Sequence, residues 1–303
     1  MSSPERCPSC SSEHLADLGA LPEMKDYLFA GGAKVRLEPS HLLRCTDCSL
    51  HFRYPAPRGE QLTEWYRQVP ETTWEYEVRH EWGIVADWLN AHAPNRRVLE
   101  VGCFRGDFLY WLGEGWERAG IEPSEAAQKV ARDRGIKIIA PTLEEIDPRN
   151  GAYGAVILLD VLEHFENPLF VLERTRDLLV AGGIAIILTG TTDAWGWKLS
   201  GAQYWYCGFP EHLSFINDRW LEWACQKLGL STLASVRVSH AGGGSTSRTA
   251  EVVRLLAHST VRGLQNLGVS EPRLNRVPFF WRLNRYCHGN ILRDHILVAL
   301  KKG

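Results

Sequence analysis

The chain has 303 residues, a formal net charge of −2, 45% hydrophobic residues and 23% charged residues. This length accommodates one large domain and a small one, and the near-neutral charge excludes a general attraction to nucleic acid or anionic lipid. No apolar run approaches the ~20 residues that a membrane helix needs, and residues 1–6 lack a secretory signal pattern, so we expect a cytoplasmic protein without a membrane span.

Residues 1–58 contain two Cys-x-x-Cys pairs, formed by Cys7, Cys10, Cys45 and Cys48. Each pair can place two thiolates on one side of a tight turn, and two such turns make a closed four-sulfur site for zinc. Free thiols or a redox pair are the alternative, but a thioredoxin-like Cys-x-x-Cys needs a neighbouring βαβ unit, which this segment lacks. The sequence therefore predicts a zinc-binding domain over 1–58, with a structural rather than a catalytic ion.

A helical connector is predicted over 59–95, ending before Pro94, and from residue 96 strands alternate with helices. The predicted strands are 98–101, 119–122, 137–140, 155–160, 184–189, 233–239 and 296–300, and the predicted helices are 107–116, 124–134, 168–180 and 217–228. This alternation indicates an α/β fold, a doubly wound seven-stranded sheet over 96–303. Lid insertions are expected near 195–215 and 241–290.

A glycine turn joins the first of these strands to the following helix. Gly102 and Gly106 allow unusual backbone angles there, and Glu122 stands twenty residues after Gly102 at the end of the second strand. A dinucleotide fingerprint would need glycines where Phe104 and Asp107 stand, so a nucleoside ligand without phosphates is favoured. Glu122 can bind a ribose diol through charge-assisted hydrogen bonds.

This run resembles motif I (E/D-x-G-x-G-x-G) of the class I S-adenosylmethionine-dependent methyltransferases, with Phe104 at the middle glycine position. Residues 120–124, 155–168 and 178–189 resemble the later motifs of that family, in order and at the expected spacing. The resemblance implies a Rossmann-like fold and S-adenosylmethionine as cofactor. It also implies the donor-binding residues, which are Glu100, Gly102, Phe104, Gly106, Glu122, Pro123, Thr142, Leu143 and Asp160.

The N-terminal segment resembles the zinc-binding domain fused to methyltransferases of sugar and natural-product pathways, among them nucleotide-sugar C-methyltransferases. The residues that carry this resemblance are Leu18, Gly19, Pro22, Leu42, Cys45, Cys48, Leu50 and Pro55. It implies a small-molecule acceptor, a sugar or a secondary-metabolite intermediate. The alternatives are an RNA methyltransferase with a zinc knuckle, which the absence of a basic stripe in 1–58 disfavours, and a non-catalytic scaffold with Phe104 folded into the donor pocket. The basic, aromatic stretch 273–285 predicts an amphipathic helix rather than an RNA or membrane contact.

Methyl transfer from a sulfonium is an in-line displacement, so the enzyme must position the nucleophile and accept its proton. His164 follows the fourth strand, and His212 stands in a segment resembling the region where the family's histidine faces the acceptor. We expect His212 to be the leading base and Tyr204 and Tyr206 to stack on the acceptor. Each histidine could instead be structural, and the tyrosines could simply cover the sheet edge. The sequence carries no indication of an oligomeric state.

Overall fold

The computed structural model describes residues 6–22, 27–31, 34–35, 38–147, 152–239 and 293–303. The lid expected at 241–290 and the helix expected over 273–285 lie outside these residues. Within the described ranges, no helix combines the length and the apolar character needed to cross a bilayer.

Thirteen strands and seven helices are described in these ranges. The strands are β1 (Leu15–Ala20), β2 (Tyr27–Leu28), β3 (Lys34–Val35), β4 (His41–Cys45), β5 (His51–Tyr54), β6 (Arg97–Val101), β7 (Glu117–Ile121), β8 (Lys137–Ala140), β9 (Tyr153–Leu159), β10 (Leu179–Gly190), β11 (Ser214–Phe215), β12 (Leu230–Val238) and β13 (His295–Lys302). The helices are α1 (Gly59–Arg67), α2 (His80–His92), α3 (Asp107–Leu112), α4 (Glu125–Asp133), α5 (Pro168–Leu178), α6 (Trp195–Ser200) and α7 (Asp218–Leu228).

The central sheet has seven strands in the order β12-β13-β10-β9-β6-β7-β8. Strands β6 to β10 pair in parallel, and β13 runs antiparallel between β10 and β12. Residues 153–158 of β9 and 183–190 of β10 are all buried, as expected for strands that helices cover on both faces. The predicted α/β class and the seven-stranded, doubly wound sheet are confirmed.

Local sequence signals set the helix boundaries around this sheet. The Oγ of Ser124 accepts a hydrogen bond from the N–H of Ala127 and begins α4, and Asn167 and Asn217 cap α5 and α7 in the same way. Helix α3 ends at Leu112, four residues before the predicted end, because Gly113 adopts φ 89° and turns the chain. Because β6 pairs in parallel with both β7 and β9, the loops that follow these three strands lie at one edge of the sheet.

A second, four-stranded sheet has the order β1-β4-β5-β11. Its first three strands come from the cysteine-containing segment, but β11 comes from residues 214–215, and Ser214 is paired with Phe52. The side chains of Leu50 and Phe52 belong to the same buried cluster as Ile216 and Trp220. Strand β11, which belongs to the α/β region of the chain, therefore joins the N-terminal sheet to that region.

Candidate active site

The glycine turn after β6 has the left-handed backbone that its sequence predicted. Gly102 has φ 68°, and a Cβ there would lie 2.6 Å from Cγ2 of Val161, so only glycine fits without a shift. Phe104 also has a positive φ, of 48°, and it occupies the position of the missing glycine. Its ring packs edge-on against Trp74 with centroids 4.7 Å apart. The turn thus keeps its shape despite Phe104, at the cost of a strained residue.

Glu122 follows β7 directly and faces the turn. Its Oε2 accepts a hydrogen bond from the backbone N–H of Phe104, and its Oε1 accepts one from the N–H of Ser124, both at 2.8 Å. The side chain is only 5% exposed. Burial raises the pKa of Glu122 to about 7, although both backbone hydrogen bonds oppose that shift. Each carboxylate oxygen keeps a further lone pair for a ligand.

Asp160 directly follows β9, has φ 54° and lies at the same edge. Nη1 of Arg79, the residue before α2, donates to Oδ2 of Asp160 at 2.6 Å, and Arg79 also pairs with Glu81. Burial alone would lower the pKa of Arg79, but the charges of Asp160 and Glu81 outweigh it and raise that pKa. The sequence reasoning missed Arg79, which no motif singles out.

Another part of the wall around the site consists of ring side chains from three chain segments. The imidazole of His164 lies between the ring of Tyr66 in α1, with centroids 5.6 Å apart, and that of His212, at 5.2 Å. The hydroxyl of Tyr66 is hydrogen-bonded to Nδ1 of His164, and Nδ1 of His212 lies 2.8 Å from the carbonyl oxygen of Tyr206. Burial lowers the pKa of both histidines, and that of His212 more strongly, so both imidazoles are neutral at pH 7.

Glu163 lies behind this wall with both carboxylate oxygens hydrogen-bonded. Oε1 accepts from the hydroxyl of Tyr206 at 2.6 Å, and Oε2 accepts from Oγ1 of Thr189 at 2.7 Å. The Tyr206 hydroxyl in turn accepts from the N–H of Gly190 at 3.1 Å. Burial, reinforced by the charge of Asp160, raises the pKa of Glu163 to about 7. Strands β9 and β10 thereby fix the position of the ring wall.

Arg53 of β5 holds the loop that carries His212. Nη2 donates to the carbonyl oxygens of Cys207 at 2.6 Å and Phe209 at 3.0 Å, Nε donates to that of His212 at 3.2 Å, and Nη1 donates to Oγ of Ser40 at 2.8 Å. Arg53 is 4% exposed, and burial lowers its pKa to about 10, which leaves it charged at neutral pH. The sequence reasoning missed Arg53, because nothing in a short strand marks a residue that bonds a loop 150 residues later.

One cavity of about 1650 Å³ connects the glycine turn to the ring wall. Ten of the residues expected at the site line it, namely Gly102, Phe104, Glu122, Pro123, Thr142, Leu143, Asp160, His164, Tyr206 and His212. The other three expected residues, Glu100, Gly106 and Tyr204, do not line the cavity. Glu100 is buried in β6, Gly106 packs against Ile136, and the hydroxyl of Tyr204 donates to Asp294 at 2.8 Å.

The four predicted zinc ligands lie together in the N-terminal segment. Sγ of Cys7 is 3.6 Å from Sγ of Cys48, Sγ of Cys10 is 3.5 Å from Sγ of Cys45, and all four sulfur atoms lie within 4.8 Å of one another. A tetrahedral zinc site with Zn–S bonds of about 2.3 Å has sulfur–sulfur distances of about 3.8 Å. The donor set and its dimensions therefore fit a closed zinc site.

The methyltransferase domain family matches residues 52–235. The chain belongs to that family. The resemblance to class I S-adenosylmethionine-dependent methyltransferases is thus confirmed, and the methyltransferase has the sheet expected for that class. The family match begins inside β5 and ends inside β12, so it spans both the glycine turn and the wall of ring side chains.

Curated relatives of this methyltransferase act on different kinds of acceptor. It is 34% identical over 138 residues to a tRNA U34 carboxymethyltransferase of Vibrio atlanticus (strain LGP32), a match covering 41% of this chain and 43% of that protein. It is 30% identical over 131 residues to a ubiquinone biosynthesis O-methyltransferase of Erwinia tasmaniensis, covering 39% and 54%. The chain thus spans about half the length of these relatives.

Among solved structures, a possible histamine N-methyltransferase from Thermotoga maritima is similar, with 14% identity, a TM-score of 0.46 and coverage of 73% of this chain and 89% of that chain. An amino pentose methyltransferase from Micromonospora echinaspora has 24% identity and a TM-score of 0.32, covering 35% of this chain and 48% of that chain.

Proposed function

We propose that this methyltransferase transfers the methyl group of S-adenosylmethionine to a small molecule, a sugar or a secondary-metabolite intermediate. The donor would lie between Gly102 and Glu122, with its ribose on Glu122 and its amino-acid end near Asp160. The acceptor would lie against the wall formed by His164, His212 and Tyr206. A single continuous cavity that joins these two groups of residues supports this arrangement.

The excess of acidic side chains around the cavity is the observation that supports the proposed class of acceptor. Among the described residues that line it, twelve have a carboxyl group and four are arginines. Such a wall repels phosphate-rich ligands and favours a neutral or cationic acceptor. If the acceptor is a nucleotide-linked sugar, its diphosphate should remain outside the described part of the cavity.

His212 is the leading candidate for the group that receives the acceptor's proton, with His164 as its rival. Nδ1 of His212 faces a carbonyl oxygen, which can only accept, so Nδ1 carries the proton and Nε2 keeps its lone pair. This tautomer is the one that a general base requires.

The donor half of the proposal is tested by calorimetry with S-adenosylhomocysteine. Glu122→Ala should weaken binding by about 1.5–3 kcal/mol, the value of hydrogen bonds to a charged group. Glu117→Ala is the matched control, because Glu117 is an exposed residue at the start of β7, the strand that Glu122 follows. Equal affinity in both variants would remove Glu122 from the ribose site, and no binding by the wild type would refute the donor site.

The acceptor half is tested by incubating the enzyme and labelled S-adenosylmethionine with a panel of sugars, amino sugars and phenolic metabolites. With an accepted substrate, His212→Ala should reduce turnover ~10²–10⁴-fold, the usual loss for a general base, and leave S-adenosylhomocysteine affinity unchanged. His164→Ala measures the rival assignment in the same assay. Wild-type rates in both variants would exclude both histidines as the base.

RNA methylation is the second candidate, favoured by the identity to a tRNA U34 carboxymethyltransferase. Bulk tRNA belongs in the same labelled-donor assay. Label transfer to tRNA but to no small molecule would replace the proposed acceptor class.

We also propose that Cys7, Cys10, Cys45 and Cys48 bind one structural zinc ion, on the strength of their sulfur geometry. Elemental analysis of the purified protein should give about one zinc per chain, and Cys45→Ser should lower that content. A folded protein without metal would refute this assignment.

A further inference from the structure

A second group of metal-ligand side chains lies in the cavity wall, away from the four cysteines. Glu163, His164 and His212 each offer one ligand atom, and these three atoms lie within 4.8 Å of one another. Nε2 of His164 is 3.9 Å from Oε1 of Glu163. Ligands about 2.1 Å from one ion are separated by roughly 3.0–3.5 Å, so a shift of about half an ångström would bring this pair onto a common cation.

The hydrogen bonds around the three side chains leave lone pairs for such a cation. Nδ1–H of His212 donates to the carbonyl oxygen of Tyr206, which directs the unprotonated Nε2 away from that carbonyl. Nδ1 of His164 is hydrogen-bonded to the Tyr66 hydroxyl, and Nε2 of His164 offers its lone pair in the tautomer whose Nδ1–H donates to that hydroxyl. Both oxygens of Glu163 are held by hydroxyl donors, Tyr206 and Thr189. Metal-binding imidazoles and carboxylates in proteins are oriented by outer hydrogen bonds of this kind.

The charge at this position also calls for a cation. Glu163 is 2% exposed, and within the described residues no lysine or arginine forms an ion pair with it. A second acidic side chain, Asp160, follows the same strand and interacts electrostatically with Glu163. A divalent cation would offset the repulsion between the carboxylates.

We propose that Glu163, His164 and His212 bind one divalent transition-metal cation in the acceptor part of the cavity; with the cation bound, Nε2 of His212 is a ligand, and proton acceptance by that atom belongs to the cation-free protein only. Two imidazoles and one carboxylate suit zinc, iron(II) or another cation of that group better than calcium. Three protein ligands leave coordination positions open, and oxygen atoms of an acceptor can occupy them. The role for the acceptor rests on the proposed function, and it narrows the acceptor to molecules with a hydroxyl, favouring two adjacent hydroxyls that can chelate.

The site is tested by adding cobalt(II) to the full-length protein after zinc has filled the four-cysteine site. The wild type should bind about one further equivalent, with ligand-field bands in the visible range and without the sulfur-to-cobalt charge-transfer band that a cysteine site produces. His212→Gln and Glu163→Gln should each weaken this binding at least about 100-fold, because each removes a ligand. His92→Gln, which changes an exposed histidine at the end of α2, should leave it unchanged.

Calorimetry with S-adenosylhomocysteine on the same samples reports whether each variant is folded, and His164→Gln replaces any variant that fails this check. The absence of a further cobalt equivalent in the wild type, or its retention in two of the three ligand variants, would overturn the proposal. Cobalt binding without S-adenosylhomocysteine binding would refute the donor site and leave the cation site standing, so the two failures are distinguishable.

Discussion

The two parts of the cavity that we assign to the donor and to the acceptor, the donor edge and the acceptor wall, are built in different ways. The donor edge is made within residues 97–124, where backbone turns at Gly102 and Phe104 and one carboxylate, Glu122, suffice. The acceptor wall combines α1, the loop after β9 and the loop before β11. Arg53, from the cysteine-containing segment, holds the last of these.

This difference implies that the two halves of the site respond differently to damage. The donor edge is positioned mainly by the parallel sheet, with Phe104 packed on Trp74, whereas the acceptor wall depends also on the packing of the N-terminal sheet against it through β5 and β11. The N-terminal segment is therefore a structural part of the acceptor wall. Perturbing one half and measuring the other tests that view.

The largest expected effect comes from removing the zinc ion that we propose for the four-cysteine site. Structural zinc sites contribute on the order of 10 kcal/mol to the folding of small domains, so chelation should unfold the N-terminal sheet and release β11 and its loop. Hydrogen exchange should rise strongly in residues 205–215 and stay low in residues 99–106. Cys225→Ser, outside the four-cysteine group, is the control and should show neither change. Equal increases in hydrogen exchange in residues 205–215 and in residues 99–106 would contradict the view that only the acceptor wall depends on the N-terminal sheet.

Arg53→Met should have the next largest effect. It leaves three carbonyl oxygens, those of Cys207, Phe209 and His212, without their charged donor, so we expect a loss of about 3 kcal/mol or more in the free energy of unfolding. Urea denaturation measures this loss. S-adenosylhomocysteine affinity should remain near the wild-type value, because the donor edge is not touched.

Arg44→Met is the matched control for Arg53→Met, since Arg44 is exposed on the neighbouring strand β4. It should change stability by less than about 0.5 kcal/mol. A similar loss in both variants would show that Arg53 acts by charge in general rather than through the loop carbonyls.

The same contrast explains what could be predicted from the sequence. The sheet, the glycine turn and the cysteine cluster follow from local signals, namely buried apolar strands, fixed glycines and Cys-x-x-Cys spacing. Arg53, Tyr66 and Arg79 could not be found this way, because their roles arise only when distant segments meet. Tyr204 is the opposite case. Its place in an aromatic loop suggested a contact with the acceptor, but its hydroxyl donates to Asp294 in the interior. The end of α3 at Gly113 could have been predicted from the sequence, since glycine commonly ends a helix.

Gly102→Ala perturbs the donor edge from the inside. Alanine at φ 68° costs about 1–2 kcal/mol, and its Cβ would meet Val161. We expect a loss of about 2–3 kcal/mol of stability with weaker S-adenosylhomocysteine binding, and part of both should return in Gly102→Ala combined with Val161→Ala. Gly83→Ala in α2, where a Cβ meets nothing within 4 Å, is the control and should be neutral or stabilising. Undiminished binding in Gly102→Ala would exclude close donor contact at this turn.

The smallest expected effect is a pH dependence that belongs to the donor edge alone. The pKa of Glu122 in the free protein is raised to about 7 by burial, and ribose hydroxyls donate best to the ionised carboxylate. As the pH falls below 7, a growing fraction of Glu122 must lose its proton before it can accept from both hydroxyls. The association constant for S-adenosylhomocysteine should therefore be flat above pH 8 and should fall by up to about tenfold per unit below pH 7.

Glu122→Gln should bind more weakly at pH 8 and lose this slope, which separates Glu122 from the ionisation of the ligand itself. Glu163, one of the proposed metal ligands, lies outside residues 97–124, so Glu163→Gln should keep the wild-type slope. An identical pH profile in the wild type and Glu122→Gln would show that another group controls donor binding.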